Sequence, residues 1–144
     1  MDNQNNAAHS TTNIYNPLIE AAKPVFILVN AMQQTTSQLS TDSLINKFSL
    51  LINNFEENAE KNGARYDAIQ AAKYCLCTFV DELAVRAGWA DETWSKNSLL
   101  VSFYDETWGG ERFFEIIQNL KQDPDKNIDL LEFMYLCLQF GYKG

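Results

Sequence analysis

Apolar residues return at intervals of three and four along most of the chain, from Leu18 to Phe140. That is the period of an amphipathic helix; a half-buried strand alternates every second residue, and no stretch sustains such alternation with β-branched residues. Asn16-Pro17 supplies an N-cap followed by a proline in the first turn, where its missing N–H costs nothing. Leu18, Ile19, Ala22, Val25, Phe26 and Val29 continue that face, with a bend expected at Pro24. A second helix, capped by Thr41 or Asp42 and ended by Gly63, aligns Leu44, Phe48, Leu51 and Phe55, with Ile45 and Ile52 beside them. A third opens near Asp67 and runs to Gly88, presenting Ile69, Ala72, Leu76, Phe79, Val80 and Leu83 and carrying the acidic pair Asp81-Glu82.

After a connection containing Trp89, Ser98 to Tyr104 reads as a short helix. Gly109-Gly110 then breaks the chain before Glu111 to Lys121, whose apolar face is Phe113, Phe114, Ile117 and Leu120. The last helix, capped by Asn127 and ended by Gly141, is apolar on nearly every side except a strip of Asp129, Glu132 and Gln139, which predicts a central, buried position. The fold class is therefore all-α, with roughly six to eight helices. Residues 1–13, rich in Asn, Gln, Ser and Thr, cannot bury enough surface to offset ordering entropy and are read as a disordered polar tail before one helical domain over 14–144.

The composition sets limits on this picture. With 144 residues, 46% of them hydrophobic, the chain can bury one sizeable core but not two. Acids outnumber bases 19 to 11, for a net charge of −8. Such a surface repels phosphate backbones and anionic lipid, so nucleic acid is not an expected partner, and basic or neutral protein surfaces are. Three cysteines and no signal peptide fit a reducing cytoplasm better than a disulfide framework. The apolar runs fall short of the roughly 20 residues that span a bilayer, so any membrane anchor is expected beyond Gly144.

No catalytic constellation emerges. Asp81-Glu82, Asp91-Glu92 and Asp105-Glu106 are pairs of acids, but neighbours on a helix point about 100° apart and cannot flank a scissile bond; Glu82 also has Arg86 four residues on as an ion-pair partner. The one histidine, His9, lies in the polar tail, which leaves Cys75, Cys77 and Cys137 without a base, and they read as small core residues. Asp123, Asp125, Asn127 and Asp129 imitate a calcium loop, yet its glycine position is Ile128 and its glutamate position Met134. Gly109-Gly110-Glu111 lacks the strand and the lysine of a phosphate loop. No enzyme activity, cofactor or metal site is expected. The tetrapeptide Asp-Glu-Thr-Trp occurs at 91–94 and again at 105–108, too short an echo for a repeat architecture.

Several segments are nevertheless distinctive in their order. Asn16-Pro17-Leu18 is followed by Lys73-Tyr74-Cys75-Leu76-Cys77 running into Asp81-Glu82, then by Ser98-Leu99-Leu100 and Phe103-Tyr104. Glu106-Thr107-Trp108-Gly109-Gly110-Glu111-Arg112-Phe113-Phe114 comes next, and Asp129-Leu130-Leu131-Glu132, Tyr135-Leu136-Cys137-Leu138 and Phe140-Gly141-Tyr142-Lys143-Gly144 close the chain. From Asn16 to Gly144 this resembles the cytoplasmic domain of the DotU/TssL (IcmH/DotU) family of bacterial secretion proteins. The resemblance implies two small helical bundles in a hook, on the cytoplasmic face of the inner membrane, tethered by a transmembrane helix that follows. It also implies a structural scaffold of a type VI secretion membrane complex, docking an IcmF/TssM-like protein and baseplate subunits. The equivalent role in a type IVB system is the alternative within the family; a soluble helical adaptor or chaperone, and then a hydrolase, are the alternatives outside it. A homodimer is also compatible, because anchoring raises effective concentration.

Two readings of the acidic pair stay open at this point. Asp81 and Glu82 either edge a groove between the bundles and meet basic groups on a partner, or Asp81 caps or braces a neighbouring helix. Trp108, Glu111 and Arg112 are expected to determine the fold around the glycine turn, with a contact role as the alternative because tryptophan and arginine are enriched at interface hot spots.

Overall fold

A computed structural model describes residues 15–34, 40–107 and 109–143. The polar tail read over residues 1–13 and the side chain of Trp108 lie outside the described residues. Among the described residues seven helices follow in order: α1 (Pro17–Gln34), α2 (Thr41–Lys61), α3 (Tyr66–Arg86), α4 (Glu92–Lys96), α5 (Leu99–Tyr104), α6 (Gly110–Leu120) and α7 (Ile128–Gln139). Among the described residues there is no strand, and the class is all-α as the periodicity predicts.

Local chemistry sets the helix ends. Asn16 Oδ1 accepts from the amides of Leu18 and Ile19 at 2.9 and 3.2 Å, two of the orphan donors of α1. Its Nδ2 donates to the Asp129 carbonyl at 2.9 Å and to Glu132 Oε1 at 3.0 Å, so the same side chain ties the start of α1 to α7. The cap of α2 is Ser40 rather than Thr41 or Asp42, its Oγ accepting from the Ser43 amide at 3.1 Å. The choice among neighbouring Ser, Thr and Asp rests on a backbone angle that composition does not report. Asn127 holds the N-cap position of α7 without making a side-chain cap bond. Its Nδ2 instead donates to the carbonyls of Leu120 and Asp123, closing the turn behind it. α1 continues through Pro24 as one helix.

α3 is the centre of the fold. It packs against α1, α2, α5, α6 and α7. Small residues make this possible: Ala68, Ala72, Cys75, Cys77 and Ala84 are buried and let neighbouring backbones approach. The larger bundle is α1, α2, α3 and α7, where Phe26 meets Phe79, Phe133 and Phe140 at ring-centroid distances of 5.4, 6.2 and 4.9 Å. The smaller group, α4, α5 and α6, lies against α2, α3 and α7, with Trp94 reaching Phe48 at 6.3 Å. Each fully buried ring of this kind contributes about 1.5–3 kcal/mol, so the cluster carries much of the stability.

The expectation that the last helix is the central one is corrected here. Tyr135 and Ile128 of α7 are 55% and 49% exposed. Apolar residues around the whole circumference of α7 signalled enclosure, but its neighbours α1, α3 and α6 cover only part of it. α3 is the enclosed helix although it carries Lys73, Asp81 and Glu82, because its polar groups are matched by partners.

Cys75, Cys77 and Cys137 are fully buried and unpaired with one another. Burial pushes all three thiols well above their ordinary range. An aromatic disulfide reagent is therefore expected to label none of them in the native protein within minutes and all of them in denaturant; prompt native labelling of any one would contradict this packing.

Candidate functional site

α5 has only six residues, too few to be stable as an isolated helix, and its first amides need acceptors. Asp81 supplies two of them. Its Oδ1 accepts from the Leu99 amide at 3.0 Å and its Oδ2 from the Leu100 amide at 2.9 Å, while Ser98 Oγ accepts from the Val101 amide at 3.1 Å. Oδ1 also accepts from the indole Nε1 of Trp94 at 3.0 Å, which brings α4 to the same carboxylate. α4 has its own cap in Asp91, whose Oδ1 accepts from the Trp94 amide at 3.1 Å and whose Oδ2 accepts from Thr41 Oγ1 at 2.9 Å. One acid on the central helix thus fixes both short helices. Burial raises the Asp81 carboxyl above the usual range, against the pull of the hydrogen bonds from Leu100, Leu99, Trp94 and Ser98. Of the two open readings, Asp81 as the brace of a neighbouring helix is the arrangement observed.

Glu82 sits one residue on, its side chain only 12% exposed. It pairs with Arg86 Nη1 at 2.7 Å, one helical turn away as the spacing predicts. The Lys143 amide donates to its two oxygens at 3.1 and 3.3 Å, and Arg86 Nη1 also donates to the Gly141 carbonyl at 2.7 Å.

The glycine turn is organised around Tyr74. Its hydroxyl donates to Glu106 Oε1 at 2.7 Å, Arg112 pairs with Glu106 Oε2 at 3.3 Å, and the Arg112 guanidinium lies 4.8 Å from the Tyr74 ring centroid. Burial, and then the Glu106 carboxylate, pushes the Tyr74 hydroxyl up to about 12. Gly109 is buried against Thr78 and Tyr74, leaving no room for a Cβ. Arg112 therefore lies at the glycine turn, against Tyr74 and Glu106. Glu111 is exposed in the first turn of α6.

Between α3, α4, α5 and the C-terminal segment runs a groove of about 440 Å³. Thr78, Asp81, Glu82, Val85 and Arg86 line it from α3, Trp94 and Ser95 from α4, and Ser98 and Leu100 at the start of α5; Thr107, Gly109 and Tyr142 complete it. Glu111 and Arg112 are not among its lining residues. Its surface is mainly apolar with acids set into one wall. Among the described residues no group of three His, Cys, Asp or Glu side chains could hold a metal ion. Trp94, Ser98 and Tyr142 are site residues that sequence reasoning missed. Ser98 carried a usable signal, a hydroxyl just ahead of an apolar run; Tyr142 carried none, since its place depends on the fold of the chain beyond α7.

The family model for the type VI secretion system protein DotU matches residues 17–144. The chain belongs to the DotU family. Among solved structures, TssL from Vibrio cholerae superposes on this DotU-family chain with a TM-score of 0.78 at 32% identity, covering 90% of this chain and 82% of the other. The cytoplasmic domain of TssL from Acinetobacter baumannii gives 0.81 at 27% identity, over 90% and 84% of the two chains. SciP/TssL from enteroaggregative Escherichia coli 042 shares the fold, at a TM-score of 0.79 and 19% identity over 89% and 75%. No curated protein matches the sequence. No helix among the described residues is long and apolar enough to cross a membrane.

Proposed function

We propose that this chain is a non-enzymatic scaffold of a type VI secretion membrane complex, held at the cytoplasmic face of the inner membrane by an anchor outside the residues given. In this reading it docks an IcmF/TssM-like protein and baseplate subunits. The observation that carries the proposal is the groove beside Asp81 and Glu82: an apolar cleft with carboxylates in one wall, on a chain of net charge −8. Its fitting occupant is a partner segment that places an apolar side chain in the cleft and a basic residue near the acids, since charge complementarity steers encounter and a desolvated apolar anchor supplies affinity.

Val85 is 66% exposed and lines the groove, so it is a better probe than either acid. In co-expression pull-downs with the IcmF/TssM-like protein and, separately, each baseplate subunit, the wild-type chain is expected to capture its partner. Val85→Arg, with an unchanged thermal melt, is expected to lose at least tenfold of that capture, the equivalent of about 1.4 kcal/mol. Equal capture by the variant would move the docking site off the groove, and no capture of any component by the wild type would remove the scaffold reading for this domain.

A further inference from the structure

α2 ends in a turn built on Asn62 and Gly63. Asn62 is its C-cap, at φ −81° and ψ −1°, and Gly63 follows in left-handed backbone at φ +93°. Three amides close the turn: that of Asn62 donates to the Asn58 carbonyl at 2.9 Å, that of Gly63 to Glu60 at 3.0 Å and that of Ala64 to Ala59 at 3.1 Å. Left-handed backbone accepts glycine at no steric cost, so the turn selects Gly63. Both residues are exposed, and nothing lies within 4 Å of where a Cβ on Gly63 would stand. Of the six glycines in the chain, this one alone follows an asparagine.

That neighbour changes the chemistry of Asn62. The backbone nitrogen after an asparagine is a nucleophile within reach of the side-chain Cγ, and a residue without a side chain leaves the approach unhindered. We infer that Asn62 is a modification site of this chain, deamidating through its own backbone, and that the turn between α2 and α3 holds the reaction back. The Gly63 nitrogen bonds to Asn62 Cγ, the Cγ–Nδ2 bond breaks, and the nitrogen released takes the Gly63 amide proton and leaves as ammonia. Water then opens the succinimide at either carbonyl, giving aspartate or isoaspartate, and no other reactant is needed. The folded turn opposes this twice. The Gly63 N–H is engaged by the Glu60 carbonyl, and ψ near zero aligns the Gly63 nitrogen with the backbone nitrogen of Asn62, which leaves Cβ and Cγ rotated away from it. Reaction therefore waits on opening of the turn, an event far more frequent at an exposed helix end than in the core.

Either product adds a carboxylate at the negative pole of α2. Isoaspartate also routes the chain through its side-chain methylene, lengthening the backbone by one atom inside a turn whose hydrogen bonds fix its length. That turn leads directly into Arg65, whose Nη1 donates to the Lys126 carbonyl at 3.5 Å, and Gly63, Ala64 and Arg65 line a cavity of about 160 Å³ shared with the starts of α1 and α7. Conversion at one exposed residue thus loosens the end of the bundle where these helices meet.

The test is to incubate residues 1–144 in mildly alkaline buffer with and without urea and to map the peptides by mass spectrometry, scoring isoaspartate by carboxyl methylation with an isoaspartyl methyltransferase. In urea, Asn62 is expected to be the first asparagine to convert. Without urea, its conversion is expected to be slower by roughly tenfold or more. The isoaspartate fraction, separated by ion exchange, is expected to melt about 3 °C or more below the unmodified chain. Earlier conversion of another asparagine in urea would overturn Asn62 as the site. Equal rates at Asn62 in the two buffers would overturn protection by the turn, and an unchanged melting midpoint would remove its effect on the bundle.

Discussion

Asp81→Ala is expected to destabilise the fold by about 2–4 kcal/mol, a large fraction of what a domain of this size possesses. The amides of Leu99 and Leu100 and the indole N–H of Trp94 all donate to this carboxylate, and all three lose their acceptor at once. Their costs do not add in full, since water reaches part of the site and the three donors share one acceptor group. Urea unfolding followed by circular dichroism measures the effect directly; a change below the roughly 0.5 kcal/mol typical of surface substitutions would remove Asp81 from the role of brace. Asp81→Asn keeps one acceptor oxygen and is expected to cost less. Asp81→Lys is the most disruptive of the three, setting a cation against three donors, so charge reversal at this position unfolds the joint instead of reporting on docking.

The same site carries a pH dependence whose sign follows from the raised carboxyl. A carboxyl whose folded value lies above its unfolded value binds more protons in the folded state, so its contribution is full below the unfolded value and is lost as pH rises through the folded one. Glu56, held low by the hydrogen bond from Lys73, works in the opposite direction, losing its contribution as pH falls.

The hydrophobic period was sufficient for the longer helices, because each apolar face has one place to go, the shared core. The period was silent on α4, whose five residues hold too few repeats to display a face and whose existence depends on Asp91 and on the Asp81–Trp94 contact. The two copies of Asp-Glu-Thr-Trp show the same limit from another side. Asp91 starts a helix as the N-cap of α4, and Asp105 ends one, in left-handed backbone at φ 58° after α5. Identical residues take opposite roles because the flanking chain, not the tetrapeptide, decides where the helix lies. The candidate site was legible in part for a similar reason. The acids were conspicuous on an apolar helix, and the spacing of Glu82 and Arg86 foretold their pairing, but the donors facing Asp81 come from residues 13 to 19 positions away, beyond any local pattern.

Gly109→Ala is expected to be the second severe substitution, with a loss of about 2–4 kcal/mol and a local shift of the turn before α6. A Cβ at Gly109 would overlap Thr78 Oγ1 and lie 3.1 Å from both Thr78 Cγ2 and the Tyr74 hydroxyl. Neither neighbour yields easily. Thr78 is buried in the middle of α3, its hydroxyl donating to the Tyr74 carbonyl at 2.9 Å, and Tyr74 is held by Glu106 under the Arg112 guanidinium. The requirement at 109 is therefore for absence of volume; φ there is −123°, which any residue adopts. That distinction is testable by a double-mutant cycle. Thr78→Ala on its own costs about 1 kcal/mol through lost packing and a lost hydrogen bond, but combined with Gly109→Ala it removes the main obstacle, so the pair is expected to be more stable than Gly109→Ala alone. Additive losses would mean that the glycine serves something other than close approach to α3. Recovery in the double mutant would establish that the glycine turn exists to bring α6 and Arg112 onto the central helix, the helix that also carries Asp81, Glu82 and Arg86.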